Sequence, residues 1–371
     1  MDFLLNVLLF VGFAQGLLLS VALFAKRKAN SYANRILAVL LFFFSFLILF
    51  HAMGHSHTDM PSSNVHQWFI HALFFTVAPL MFFYSKALTK YDFRLSLKDS
   101  LHFIPALVIN ILLLLLSNAA SDKEFYTTVN RVILLLLTLQ MFVYLTLMFI
   151  ILRNHTKNIQ NICSSLEKIN LRWLRFFILS QAVIWPVALA MDLSRHKTDK
   201  MGYLWLVVSI FMYLIGYFGF LQPEIFSGEL KEKQISIPTE KKKYEKSTLS
   251  LDQAEAILQK LLAFMDISKP YMDSNLTLPA LSKQISVSPH HLSQIINEKL
   301  NKNFFEFVNY FRVEEAKQLL KDPEFQNLTI AAIGFKAGFN SISSFNSIFK
   351  KLTSLTPSQY RLSDNSLPDT Q

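Results

Sequence analysis

Seven stretches of about twenty mostly apolar residues, crowded into the first 221 positions, restrict this chain more than any other feature. They are Phe3–Ala25, Asn34–Met53, Gln67–Leu88, Leu101–Ser117, Val129–Leu152, Leu174–Leu193 and Gly202–Leu221. Crossing the hydrocarbon core of a bilayer takes roughly 20 such residues per helix, because every backbone N–H and C=O must find its partner within the segment. A single run could be a buried helix of a large soluble domain. Seven, separated by short polar loops, predict a polytopic transmembrane bundle over residues 1–222. The fourth run is the weakest, being short and interrupted by Pro105 and Asn110. The first passes straight into Lys26, Arg27 and Lys28 with no small-residue cleavage site, which predicts an anchor rather than a removed signal peptide.

The charge distribution gives this bundle a direction. The formal net charge is +10, and residues 1–226 hold 18 Lys and Arg against 10 Asp and Glu, leaving only +2 for the remainder. Most of the positive excess therefore flanks the apolar runs, where it orients them, and little of it is a nucleic-acid-binding surplus. The first loop carries Lys26, Arg27, Lys28 and Arg35; the third Lys86, Lys90, Arg94 and Lys98; the fifth Arg153, Lys157, Lys168, Arg172 and Arg175. The second loop, Gly54 to His66, has none, and the fourth has Lys123 with Arg131 at its edge. The sixth disagrees, with Arg195, Lys197 and Lys200. The balance predicts an inner-membrane, multi-pass protein with odd loops in the cytoplasm, an external N-terminus and an internal C-terminus. One cysteine, Cys163, excludes an intramolecular disulfide framework.

Hydrophobicity stops at "FLQPEIFSG", and residues 223–250 read as a charged linker. From Leu251 the period turns helical: Ala254, Ile257, Leu258, Leu261 and Leu262 share a face, which predicts a linking helix within 251–275. Beyond it, residues 276–365 contain the same unit twice. Leu278 to Gln284 is a short helix, "SVS" a turn, and Ser288–Pro289 an N-cap with a first-turn proline opening a helix to Leu300. Ile330 to Ala337, closed by Gly338, precedes a helix from Ser341 to Thr353 that buries Phe345, Ile348 and Phe349. "NFFEFVNYFRVEEAKQLLKD" between them reads as a rigid connecting helix with Phe305, Val308, Phe311, Ala316, Leu319 and Leu320 as its apolar stripes. Residues 366–371 are a tail.

"LSQIINEKLNKNFFEFVNYFRVEEAKQLL", "IGFKAGFNSISSFNSIFKK" and "TPSQYR" follow one another over about a hundred residues in an order and spacing that resembles the DNA-binding domain of the AraC/XylS family of transcription regulators. The front half, with "AQGLLLSVALFAKRKANSYANRILAVLL", is similar to the multi-span region of membrane-bound members. The resemblance implies an all-α chain: a seven-helix transmembrane bundle followed by a cytoplasmic domain with two helix-turn-helix units. Asn301 and Ser354 stand where that family often has Gly. Asn tolerates the left-handed turn that follows a helix, and Ser does so less comfortably.

A helix-turn-helix lays its second helix in the major groove, N-terminal residues first. Carried over from the resemblance, the base-reading positions are His290, Ser293 and Gln294 in the first unit and Ser343, Asn346 and Ser347 in the second. Ile342 is available for a thymine methyl. Asn297 is expected to face outward beside the first set. Lys302, Lys350, Lys351 and Arg361 are the candidates for backbone phosphate, which positions the domain without specifying sequence.

Other chemistry is weaker. "HAMGHSH" offers His51, His55 and His57 as weak metal candidates, with His66 and His71 nearby, but no acidic partners accompany them. Gln15, Asn110, Gln140, Gln181 and Asp192 lie within the apolar runs, where polar side chains most often join helices. No phosphate-cradling glycine loop, nucleophile elbow or kinase signature occurs. The chain is thus expected not to be an enzyme and to need no cofactor. Its expected partners are double-stranded DNA, the lipid bilayer and a small-molecule or membrane signal of unspecified identity, with a homodimer left open. The rival reading is a transmembrane receptor or transporter whose cytoplasmic tail binds a protein.

Overall fold

The computed structural model describes residues 2–27, 30–56, 64–90, 92–116, 123–167, 169–193, 201–223 and 249–363. The chain divides into two compact units, residues 1–154 with 171–227, and residues 155–170 with 228–371. Helices dominate both, and the β geometry among the described residues is an isolated antiparallel bridge between Cys163 and Thr277.

The first unit contains α1 (Asp2–Ala25), α2 (Ser31–Ser56), α3 (Asn64–Thr89), α4 (Ile104–Leu115, entered through a 3-10 turn at Leu97–Phe103), most of α5 (Lys123–Gln160), α6 (Arg172–Leu193) and α7 (Met201–Leu221). Among the described residues, six helices are long and apolar enough to cross a membrane; the seventh, α3, contributes the shorter apolar stretch Leu73–Thr89. Outward faces carry Leu18, Leu139 and Phe176, each more than half exposed, a pattern consistent with helices surrounded by lipid. Inside, small residues let backbones approach. A Cβ on Gly12 would stand 2.6 Å from the Ser209 hydroxyl, and one on Gly219 would stand 2.3 Å from Leu37 Cδ2. Gln140 donates to the Phe75 carbonyl at 3.0 Å and so joins α5 to α3. Asn110 instead bonds its own helix at Ala106, 2.8 Å away. The side chain of Asp192 lies outside the described residues.

Four contacts fix one end of this bundle. The Lys26 ammonium donates to the Phe220 carbonyl, and the Asn30 amide to the Pro223 carbonyl at 2.9 Å. Trp173 Nε1 donates to Gln222 at 2.9 Å, and the Leu95 amide to the Tyr32 hydroxyl at 2.9 Å. The first loop, the third loop, the start of α6 and the exit of α7 therefore share an end.

The second unit is built from α8 (Leu251–Ser268), α9 (Leu278–Gln284), α10 (Pro289–Lys299), α11 (Phe304–Lys321), α12 (Ile330–Lys336), α13 (Ile342–Thr353) and α14 (Pro357–Leu362). Each of these helices is started by a side chain that accepts a hydrogen bond from the first turn: Ser250, Thr277, Ser288, Asn303, Thr329, Ser341 and Thr356. Such caps satisfy amides that a short helix cannot bond for itself. The helix over 251–268 does more than link. Its Ala254 and Leu258 pack on Ile295, and Leu261 and Met265 enter the core formed by α9, α10 and the first half of α11.

The helix α11 serves two cores. Phe304, Phe307 and Val308 belong to the first, while Val313, Ala316, Leu319 and Leu320 belong to the second with Ile333, Phe345 and Phe349. At its N-terminal end the buried pair is Phe304 and Phe307, with Phe305 only half-buried. Five aromatics within eight residues left the register of that stripe ambiguous in the sequence.

Two backbone positions test this account. Gly338 has φ +94°, and a Cβ there would meet the Tyr271 carbonyl at 2.3 Å and Met272 Cα at 2.8 Å. Ser354 closes α13 with φ 62°. Gly338→Ala is expected to destabilise the second unit by at least about 2 kcal/mol, and Ser354→Gly to stabilise it by about 1 kcal/mol. Hydrogen–deuterium exchange of peptides from residues 278–353 in the full chain measures both. Equal protection in wild type and Gly338→Ala would refute the crowding argument.

Candidate nucleic-acid interface

The helix α13 is rooted by one face and open on the other. Phe345 and Phe349 are fully buried, edge-on to one another with ring centroids 5.6 Å apart, and Tyr360 closes on Phe349 at 5.4 Å. Their spacing leaves Ile342, Ser343, Asn346, Ser347 and Lys350 exposed on the opposite side. That stripe presents, in order, a methyl-rich side chain, three small hydrogen-bonding groups and a cation one turn later. Lys351 is also exposed, 3.9 Å from Glu306, a surface pairing that holds it weakly.

The first helix-turn-helix is arranged differently. His290 is half-buried beside His291, but Ser293 and Gln294 are only 5% and 9% exposed. The Gln294 amide donates along its own helix to Glu298 at 3.0 Å, and Asn297 donates back to the Ser293 carbonyl at 2.6 Å. In this conformation neither Ser293 nor Gln294 is open to a base edge. The amphipathic pattern of Leu292, Ile295 and Ile296 correctly marks one buried face; it carries no signal that the opposite face is covered as well.

The phosphate candidates separate too. Lys350 is exposed, whereas the Lys302 ammonium lies 3.9 Å from the centroid of the Tyr310 ring. Arg361 turns inward and donates to the Leu328 carbonyl at 2.9 Å, which ties the end of the domain to the loop before α12.

Sequence reasoning missed the segment that touches this interface. Residues Ile162–Ser164, from the fifth loop, run beside Leu276–Leu278. The Leu278 amide donates to Ile162 at 2.8 Å, and the Ser164 amide to Leu276 at 3.2 Å. Arg312 of α11, 1% exposed, then spends all its donors on oxygens of the unit. Its Nε bonds the Tyr271 carbonyl at 2.8 Å, and one terminal nitrogen reaches the Ser164 carbonyl at 3.0 Å and Asn309 Oδ1 at 3.4 Å. The other terminal nitrogen reaches Ser164 Oγ at 2.9 Å and the Asp273 carbonyl at 2.8 Å. Burial lowers this guanidinium to about 10, partly opposed by the Asp273 charge, so it stays protonated at neutral pH. Cys163 beside it is buried, and burial pushes its thiol up to about 12. Further along, Asn340 donates to Ser165 Oγ at 2.6 Å, and the Ser344 hydroxyl donates to a Glu167 carboxylate oxygen at 2.6 Å. Ser341 donates to the same oxygen while its own Oγ caps the Ser344 amide at 3.1 Å.

Of the histidine candidates between His51 and His71, only His51 has a described side chain. His51 stacks on Trp205 with centroids 4.7 Å apart, while His57 and the side chains of His55, His66 and His71 lie outside the described residues. Among the described residues no group of three or more His, Cys, Asp or Glu is placed to hold a metal ion.

Residues 281–363 match a family model described as a helix-turn-helix domain. An uncharacterized HTH-type transcriptional regulator of Staphylococcus aureus (strain COL) is 36% identical over 96 residues, which is 26% of this chain and 12% of that protein. The arabinose operon regulatory protein of Escherichia coli (strain K12) is 30% identical over 122 residues, 30% of this chain and 41% of that protein. The chain thus spans only 12% of the length of the first curated relatives it matches. No solved structure matches.

The Arg312 network makes a direct prediction. Replacing Arg312 with Leu leaves the Ser164, Tyr271 and Asp273 carbonyls without their donor, so the second unit is expected to lose at least about 2 kcal/mol. Local exchange protection across residues 271–312 measures it, and an unchanged profile would sink the claim.

Proposed function

We propose, on the premise that residues 281–363 form a helix-turn-helix domain of the AraC type, that this protein is a membrane-embedded transcription regulator. In this reading its C-terminal domain binds promoter DNA in sequence-specific fashion under the control of a signal received by the apolar helices. The observation that carries the reading is the exposed stripe of α13: Ile342, Ser343, Asn346, Ser347 and Lys350 on one helical face, rooted by buried Phe345 and Phe349. Asn can bond adenine in two places, Ser can bond any base edge singly, and Ile suits a thymine methyl. No arginine stands in the stripe, so strong guanine readout is absent from the proposal. The covered first reading helix must open for His290, Ser293 and Gln294 to take part, with Lys302 among the groups then free to meet phosphate. A second copy of the chain remains a partner of choice if the operator is palindromic.

The orientation belongs to the same proposal. The first loop, third loop, start of α6 and exit of α7 share one end of the bundle, and the fifth loop falls in the same compact unit as the C-terminal domain. These are the loops richest in Lys and Arg, which supports placing them in the cytoplasm with the DNA.

The full chain in lipid nanodiscs, titrated with duplexes enriched from random sequence and with scrambled controls, tests the reading head. Asn346→Ala is expected to cost roughly 1–3 kcal/mol on the enriched duplex and to relax preference at one position. Lys350→Ala should instead weaken all duplexes about equally and lower the salt slope by about one unit. If Asn346→Ala behaves like Lys350→Ala, base reading by Asn346 is wrong. For topology, a cysteine replacing Ser62, which lies outside the described residues, should react with an impermeant thiol reagent in intact cells. One replacing Ser96 should not, and the buried Cys163 should stay silent. The opposite labelling pattern would invert the orientation.

A further inference from the structure

The helix that best displays base-reading groups is also the one whose first turn is already occupied. A helix N-terminus attracts negative charge, because its amides are unbonded and the aligned peptide dipoles leave it positive. At the start of α13 the anion is the carboxylate of Glu167, held by the Ser341 and Ser344 hydroxyls, with Ser344 Oγ at 2.6 Å. Its neighbour Ser165 holds Asn340, the residue just before the N-cap, at 2.6 Å. A reading helix enters the major groove by this end, where hydroxyls and amides meet a phosphate of the flanking strand.

Glu167 does not arrive there alone. The segment 155–170 is stitched to the domain by the Ile162–Leu278 and Ser164–Leu276 backbone bonds, by Arg312 and Asn309 on Ser164, and by the buried Cys163. Asn309 reaches the Ser164 carbonyl at 3.1 Å. Both ends of the segment continue without a break into apolar helices, α5 before it and α6 after it. The group that covers α13 is thus joined to those two helices by the chain itself.

We propose that segment 155–170 is an intramolecular competitor of DNA. The Glu167 carboxylate occupies the seat of a DNA backbone phosphate at the N-terminus of α13, and the apolar helices set DNA affinity by holding this segment on the reading head or withdrawing it. The proposal rests on the DNA-binding reading given above. It needs no phosphate relay and no separate effector protein, since the competitor and the sensor are one continuous chain. Competition follows from charge: carboxylate and phosphate require the same two hydroxyls, and both cannot sit on one helix end.

The test uses the full chain in nanodiscs and a random-sequence duplex of about 30 base pairs at low salt, where phosphate contacts dominate binding. Glu167→Ala is expected to tighten the duplex by about tenfold, because a competing charge-assisted contact is gone. A second form guards against a folding defect. With Cys163→Ala as background, Ser165→Cys and Asn340→Cys together allow a disulfide that locks the segment in place. Oxidation should weaken duplex binding by about tenfold or more, and reduction should restore it. Duplex affinity unchanged in Glu167→Ala, or equal in oxidised and reduced forms of the cysteine pair, overturns the competitor while leaving DNA binding intact. Failure of every form to bind the duplex, wild type included, overturns the DNA-binding reading and the competitor with it.

Discussion

A guanidinium with no access to water has to find oxygens for five donors, and where it finds them decides how the surrounding chain is folded. Arg312 lies between the two hydrophobic cores that α11 spans, and its acceptors come from Ser164, Tyr271, Asp273 and Asn309. Those residues belong to three separate stretches of chain. The turn after α8, the connecting helix and the fifth loop are thereby fixed against each other. Glu315, one turn further along α11, repeats the device on a smaller scale by accepting from Lys269 at 2.7 Å and the Tyr271 hydroxyl at 3.0 Å. The apolar residues determine that there are two cores. The buried polar network determines that they keep one arrangement.

That network has a functional consequence because of what it drags along. Ser164 cannot satisfy Arg312 without bringing Ser165 and Glu167 close by, since they lie only one and three positions further along the chain. The two helix-turn-helix units are unequal. In the second, the reading stripe is open and its N-terminal turn is covered by a carboxylate; in the first, Ser293 and Gln294 are themselves buried. Under the proposed reading, a pair of reading heads in this state is folded but not yet open to a groove. Stability and readiness are thus separate properties of the same unit.

The apolar half is held differently. Helices long and apolar enough to cross a membrane gain little from burying apolar surface if lipid surrounds them, so contact would depend on how closely backbones can approach and on the few polar bonds that cross. Gly12 and Gly16 on α1 admit Ser209 and Met212 of α7, and Gln140 crosses from α5 to α3. Contacts of this kind depend on a few close approaches and single polar bonds, where the second compact unit depends on buried apolar cores.

The division between sequence and tertiary structure follows from these interactions. Helices were legible wherever a period or a cap was strong. The apolar runs are too long for anything else, Ser288–Pro289 starts its helix where the residues say, and the spacing of Phe345 and Phe349 leaves Asn346 and Lys350 outside. Such signals act within about four residues, the reach of a turn of helix, so a single stretch contains them whole. The choice of Phe304 and Phe307 over Phe305 was not available, because adjacent aromatics satisfy either register until the partner core is present. The covering of Gln294, the inward turn of Arg361 and the docking of Ser164 and Glu167 were invisible altogether. They join residues up to 177 positions apart through polar bonds that have no periodicity, and only the folded chain brings those positions within reach.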